Sequence, residues 1–172
     1  MTTTLTEQAV PTGTWTLDST HSQVGFAVRH AGVSLFRGGL ESFDATLADG
    51  ILSGSADVSS ITIQDENLAG HLASPDFFDA DRFPKVSFRS TSIARDGDSL
   101  VVEGVLDLRG ATQPVRLSGT IAGPVGDRIG ITLETSIDRT DFGMVWQMQL
   151  PSGVNALENE VTLTADLELV KA

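Results

Sequence analysis

Cysteine is absent from this 172-residue sequence, which removes disulfide frameworks and thiolate chemistry from consideration and leaves the redox compartment open. Basic residues are scarce: 11 Lys and Arg face 23 Asp and Glu, a formal net charge of −12. A surface this acidic repels phosphate backbones and anionic headgroups, so nucleic acid is excluded as a general partner. No apolar run approaches the roughly 20 residues of a membrane helix, and no stable membrane insertion is expected. The first thirteen residues lack the basic and apolar regions of a signal peptide, and no basic residue precedes Arg29; a cytoplasmic location is expected. Catalytic signatures are missing too. There is no Gly-x-Ser-x-Gly elbow, no His-Glu-x-x-His and no phosphate-binding glycine loop.

What is present is alternation. With 40% apolar and 20% charged residues, the chain is long enough for one domain with its own core. Residues 1–13 are expected to form a flexible tail and residues 14–172 a single β-barrel domain. Val24, Phe26 and Val28 alternate with Gln23, Gly25, Ala27 and Arg29. Leu100, Val102, Leu106 and Leu108 share one face, with Glu103, Asp107 and Arg109 on the other. The same period of two runs through Val115–Ile121, Ile129–Ile137 and Val161–Leu169, the mark of antiparallel strands with one dry and one wet face. Turn residues separate these runs at Ala48-Asp49-Gly50, Arg95-Asp96-Gly97-Asp98, Gly123–Asp127 and Pro151-Ser152-Gly153. Weaker runs near 39–47, 51–63 and 86–93 bring the count to about eight strands. Only the 65–83 region breaks the period; it predicts one or two short helices, with Ser74 as an N-cap and Pro75 as a first helical residue. The fold class is all-β, as a sandwich or a barrel. An eight-stranded barrel is packed by its own side chains or holds one small ligand, and periodicity does not choose between the two.

Candidate site residues are few. If 21–30 is one uninterrupted strand, His21 and His30 fall on opposite faces about 30 Å apart, and with His71 they form no metal triad. No metal is expected. In Asp138-Arg139-Thr140-Asp141-Phe142-Gly143, Arg139 either meets an anionic head group or pairs with Asp141 to hold a bend at Gly143, the second being favoured. Phe26, Phe36, Phe43, Phe88, Phe142 and Trp146 lie on separate predicted strands, as the lining of a barrel or as its solid core. Phe77-Phe78 beside Pro75 and Phe83-Pro84 forms a cap over one barrel end, more a plug than a gate.

Five segments together resemble the YceI-like family of polyisoprenoid-binding proteins: His21-Ser22-x-Val24-x-Phe26-x-Val28-x-His30, His71-Leu72-x-Ser74-x-Asp76-Phe77-Phe78-Asp79, Phe83-Pro84-x-Val86-x-Phe88-x-Ser90-Thr91, Leu106-x-Leu108-x-Gly110-x-Thr112-x-Pro114-Val115 and Asp138-Arg139-x-Asp141-Phe142-Gly143. The resemblance runs from about Trp15 to Val170. It implies an eight-stranded antiparallel lipocalin-like barrel around a long isoprenoid chain, such as a quinone tail or a polyprenyl phosphate. It implies no catalysis, no required cofactor, and often a homodimer. The chain departs from the family pattern where Leu68-Ala69 replaces the usual Arg-Asp and Arg109 replaces a histidine.

On this basis Phe26, Val28, Phe36, Phe43, Phe88, Leu106, Leu108, Phe142 and Trp146 are the expected ligand-binding residues, with His71 and Arg139 at a head group. Burying one five-carbon unit contributes roughly 3–4 kcal/mol at most. Association costs on the order of 4–15 kcal/mol, so only a chain of several units binds firmly. Two alternatives stand beside the carrier. One is an enzyme acting on a lipid-like substrate through His71, Arg139 or Asp141. The other is a filled barrel serving as a stress-related interaction module.

Overall fold

The computed structural model describes residues 9–172. Eleven strand segments form one antiparallel sheet. In chain order they are β1 (Thr14–Leu17), β2 (Gln23–His30), β3 (Ser34–Leu40), β4 (Phe43–Ala48), β5 (Ile51–Asp57), β6 (Ile61–Thr62), β7 (Lys85–Asp96), β8 (Ser99–Leu108), β9 (Ala111–Val125), β10 (Arg128–Asp138) and β11 (Leu157–Lys171). Three pairs of segments are halves of bent strands. Strand β4 pairs with β1 and β3 with β2, so β1/β2 and β3/β4 lie side by side along their length. Likewise β5 pairs with β4, and β6 with β3. The eleven segments therefore make eight strands. Strand β11 pairs with β10 on one edge and with β2 and β1 on the other, which closes the sheet into an eight-stranded antiparallel barrel.

Alternation does the folding work that the pattern predicts. On β8, Leu100, Val102, Leu106 and Leu108 are buried while Glu103, Val105 and Asp107 are exposed. The interior holds two apolar clusters. One contains Trp15, Leu47, Leu100, Ile129 and Leu169; the other contains Phe26, Leu72, Phe77, Leu106 and Phe142. The second lies under α1 (Glu66–Ala73), the one α-helix among the described residues. Asp65 caps that helix by accepting from the backbone N–H of Asn67 at 2.9 Å and of Leu68 at 3.4 Å.

The helical expectation needs two corrections. Ser74 does not start a helix: it ends α1, its backbone N–H and its hydroxyl both donating to the carbonyl of His71. Residues 75–78 then form a turn, with the Phe77 N–H on Ser74 O at 3.0 Å. A proline directly after a helical run stops it as readily as it starts a new one. Of the tail 1–13, residues 1–8 lie outside the described residues. Val10, in the remainder, packs against the first cluster, and the Trp15 indole donates to Thr12 O at 3.0 Å. No helix among the described residues is long and apolar enough to cross a membrane.

Candidate functional site

Side chains from β2, β4, β5, β7 and β11, with α1 and the segments that follow it, wall an internal apolar space. Two of the glycines on the paired strands make room for aromatic rings. Gly38 on β3 stands opposite Phe26, and Gly104 on β8 leaves space that the Phe88 ring fills. A Cβ at Gly38 would overlap the Phe26 ring, so the ring lies across the glycine instead of being pushed to the barrel axis.

The space is divided into two chambers. The outer one, under α1, has a volume of about 210 Å³, and the inner one about 180 Å³. Phe26, Val28, Phe36, Leu108 and Trp146 line the outer chamber. Phe43 and Phe88 line the inner one, together with Phe26 and Leu108 again. Leu106 and Phe142 are not on either wall. Both are buried in the cluster that includes Leu72 and Phe77; Phe142 belongs to a 3₁₀ turn, Arg139–Phe142, beyond the end of β10, so strand alternation does not aim it at the lumen.

The ionisable groups at these walls are His30, His71 and Arg139 in the outer chamber and Asp44 in the inner one. Arg139 is only 3% exposed. Its guanidinium donates to Met144 O at 2.7 Å and Glu158 O at 3.0 Å. Burial pushes its pKa below the usual arginine value, against the charge of Asp138. The ion pair expected between Arg139 and Asp141 is not formed. The segment is a 3₁₀ turn and not a strand, so side chains two apart do not share a face, and Asp141 is exposed. Asp138 caps that turn, accepting from the Thr140 N–H at 2.9 Å and hydroxyl at 2.6 Å. These contacts hold the Asp138 carboxyl below its usual range. Gly143 ends the turn at φ +76°, the left-handed geometry expected of it.

His71 borders the outer chamber with its Nε2 3.0 Å from an Asp76 carboxylate oxygen. Its ring stands edge-on to Phe77 at 5.0 Å and Trp146 at 5.1 Å. The two departures from the family pattern fall beside it. Leu68 puts an apolar side chain on the chamber wall. Arg109 donates to Pro75 O at 2.8 Å, tying the turn after α1 to the end of β8.

Sequence reading missed the wall residues Leu68, Leu72, Met144 and Met148, and Phe77-Phe78, read as a plug, line the outer chamber. They come from α1 and from irregular segments, where a period of two carries no signal. The four-residue spacing of Leu68 and Leu72 was the available hint. His21 also differs from expectation. It lies in the 3₁₀ turn Ser19–His21 and not on β2, and it meets Asp18 at 2.8 Å and Glu168 at 3.6 Å. Those three groups have metal-binding spacing, but Arg128 already donates to both carboxylates, at 2.8 and 2.6 Å. A guanidinium there takes the place a cation would need.

The YceI-like domain model matches residues 15–169. Protein YceI of Shigella flexneri is 35% identical over 136 residues, covering 72% of this chain and 71% of the relative. Protein YceI of Escherichia coli O157:H7 matches to the same extent. Among solved structures, BcnA of Burkholderia cenocepacia superposes with a TM-score of 0.74 at 21% identity, over 88% of this chain and 98% of that one. A polyisoprenoid binding domain from Saccharophagus degradans gives 0.72 at 15% identity, over 92% and 98%. The YCEI protein of Campylobacter jejuni gives 0.71 at 23%, over 91% and 96%. These three share the barrel.

Proposed function

The chain belongs to the YceI-like family, and from that premise we propose that it is a non-catalytic binding protein whose barrel holds an isoprenoid or similar amphipathic lipid. The observation that carries this reading is the pair of chambers inside the barrel, about 210 and 180 Å³, walled almost wholly by apolar side chains. An apolar cavity of this kind stays dry and gains from a hydrocarbon occupant. The polyisoprenoid binding of the Saccharophagus domain that shares the barrel supports the same ligand class, a quinone tail or polyprenyl phosphate among them. His71, with Trp146 beside it, is the group best placed to meet a polar head at the outer chamber. Arg139 takes the lesser part, because two of its donors already serve backbone carbonyls. Those engagements of Arg139 support carriage over bond chemistry.

Native mass spectrometry of the purified protein, followed by organic extraction, tests this reading. An adduct of one lipid per chain, extractable into solvent, is expected. A protein that carries no lipid and takes up none when offered farnesol or ubiquinone overturns it. A second reading, the interaction module, draws on exposed apolar residues at one end of the barrel. Val33 is 80% and Val145 68% exposed, and their loops meet through the Ala31 N–H and Ala156 O at 2.9 Å. The same spectra report the subunit number, so a lipid-free homodimer favours this second reading.

A further inference from the structure

The two chambers meet at a waist of four side chains. Phe26, Phe78, Leu108 and Leu163 are common to both walls. Three of them stand on strands: Phe26 pairs with Leu163 across β2 and β11, and Leu108 ends β8. Phe26 is held from further sides, by Gly38 beneath it and by Phe36 at 6.5 Å. Phe78 is different. It comes from the turn after α1, anchored through its backbone N–H on Leu72 O at 2.9 Å, and it is only half-buried. Its ring meets Phe26 at 5.8 Å and 58°, closing the waist.

Volume shows what that closure does. A dry cavity of about 150 Å³ takes one benzene ring. The outer chamber, about 210 Å³, therefore takes on the order of one to two five-carbon units. Neither chamber alone reaches the roughly 300–1,000 Å³ of ordinary ligand pockets, but the two joined do. A chain of several units must run through both, and it must pass the ring of Phe78. The backbone anchor of Phe78 need not move for this. A side-chain rotation about χ1 or χ2 opens the passage, and such rotations are fast compared with ligand exchange.

Resting on the reading that the barrel binds apolar chains, we propose that Phe78 is the residue that sets which chain lengths the barrel accepts. Short prenyl chains occupy the outer chamber with the waist closed, and longer ones pay the displacement of Phe78 before gaining the inner chamber. The aromatic pair thus sets a threshold in length, above which affinity rises with each added unit.

The test uses delipidated full-length protein with Phe78 as wild type, Ala, Leu or Trp. The probes are geraniol, of two isoprene units, and geranylgeraniol, of four. Isothermal titration calorimetry reports binding of both, independently of the indole that Phe78→Trp adds. In Phe78→Ala the ratio of geranylgeraniol to geraniol affinity is expected to rise about tenfold. In Phe78→Trp the ratio falls several-fold; because Phe78 also lines the outer chamber, the ratio of the two affinities carries the test and not the affinity for geraniol alone. Phe78→Leu keeps most of the packing and moves the ratio in the direction of Ala, so the test survives if the Ala protein fails to fold. A ratio that is the same in wild type and in the folded variants overturns the role of Phe78 and leaves the binding function standing. Wild-type protein that binds neither prenol overturns both.

Discussion

Arg139 is a cation among apolar neighbours, and its stability rests on two backbone carbonyls rather than on a carboxylate. Replacing it by Met keeps an unbranched apolar stem and removes both donors, leaving Met144 O and Glu158 O without them. A loss of ~2–4 kcal/mol is expected, read as a lower urea midpoint with an unchanged slope. An unchanged midpoint would show that water replaces the guanidinium at no cost. Gly143, four residues on, sits at φ +76°, and a Cβ there would crowd the end of the Arg109 side chain. Gly143→Ala is expected to cost about 1–2 kcal/mol of stability from backbone conformation. The shift of Arg109 adds a loosening of its bond to Pro75 O, which faster amide exchange across residues 74–80 would reveal.

At the scale of elements, the bend between β1 and β2 depends on a charged cluster. Asp18 caps the 3₁₀ turn there, and Ser22 links the Asp18 carbonyl to the Glu168 N–H. Around them, His21 and Arg128 both meet Asp18 and Glu168. The hydrogen bond to Asp18 raises the His21 pKa above its ordinary value, the charges of Asp18 and Glu168 adding to it and Arg128 opposing it. Stability from a raised histidine is fully present below the unfolded value of about 6.5 and is lost as pH rises through the folded value. Asp18 is held far below the carboxylate range, chiefly by His21 and then Arg128. Its contribution is present above the unfolded value of about 3.9 and is lost only as pH falls through its folded value. His21→Ala is therefore expected to lower Tm most near pH 5.5, with the gap narrowing toward about pH 8.5. Thermal melts across that range check this, and a gap independent of pH would count against the His21 contribution. On the neighbouring pair of strands, Gly38→Ala forces the Phe26 ring off the glycine. Overpacking of this kind costs about 1–3 kcal/mol, and the urea midpoint measures it.

At the scale of the whole molecule, the proposed binding function couples ligand to stability. A ligand bound only by the folded chain adds about 2.7 kcal/mol at one hundred times its Kd. For a domain of this size that corresponds to roughly 5–10 °C in Tm. Delipidated protein is expected to melt that much below the same protein reloaded with a long prenol. Equal melting temperatures would mean that the chambers are empty in both. The net charge of −12 spreads repulsion over the outer surface, while the lumen is nearly free of charge, so added salt should raise Tm without changing prenol affinity.

The all-β class, the strand count and the burial of Leu100, Val102 and Leu169 were legible in the residues. Side-chain alternation is a local property of an extended chain and needs no knowledge of what lies across the barrel. The five matched segments carried the family as well, through residues spread from His21 to Gly143. What alternation could not decide is whether opposite walls touch. That depends on how the ring closes, on glycines such as Gly38 that let Phe26 lie flat, and on where α1 drops Phe78. Leu106 and Phe142 show the same limit: both are expected to line the cavity, yet both are buried in the cluster with Leu72 and Phe77 and reach neither chamber. The barrel was thus determined by sequence, whereas its division into two chambers was decided only by tertiary packing, because an interior volume is set by side chains that meet across it.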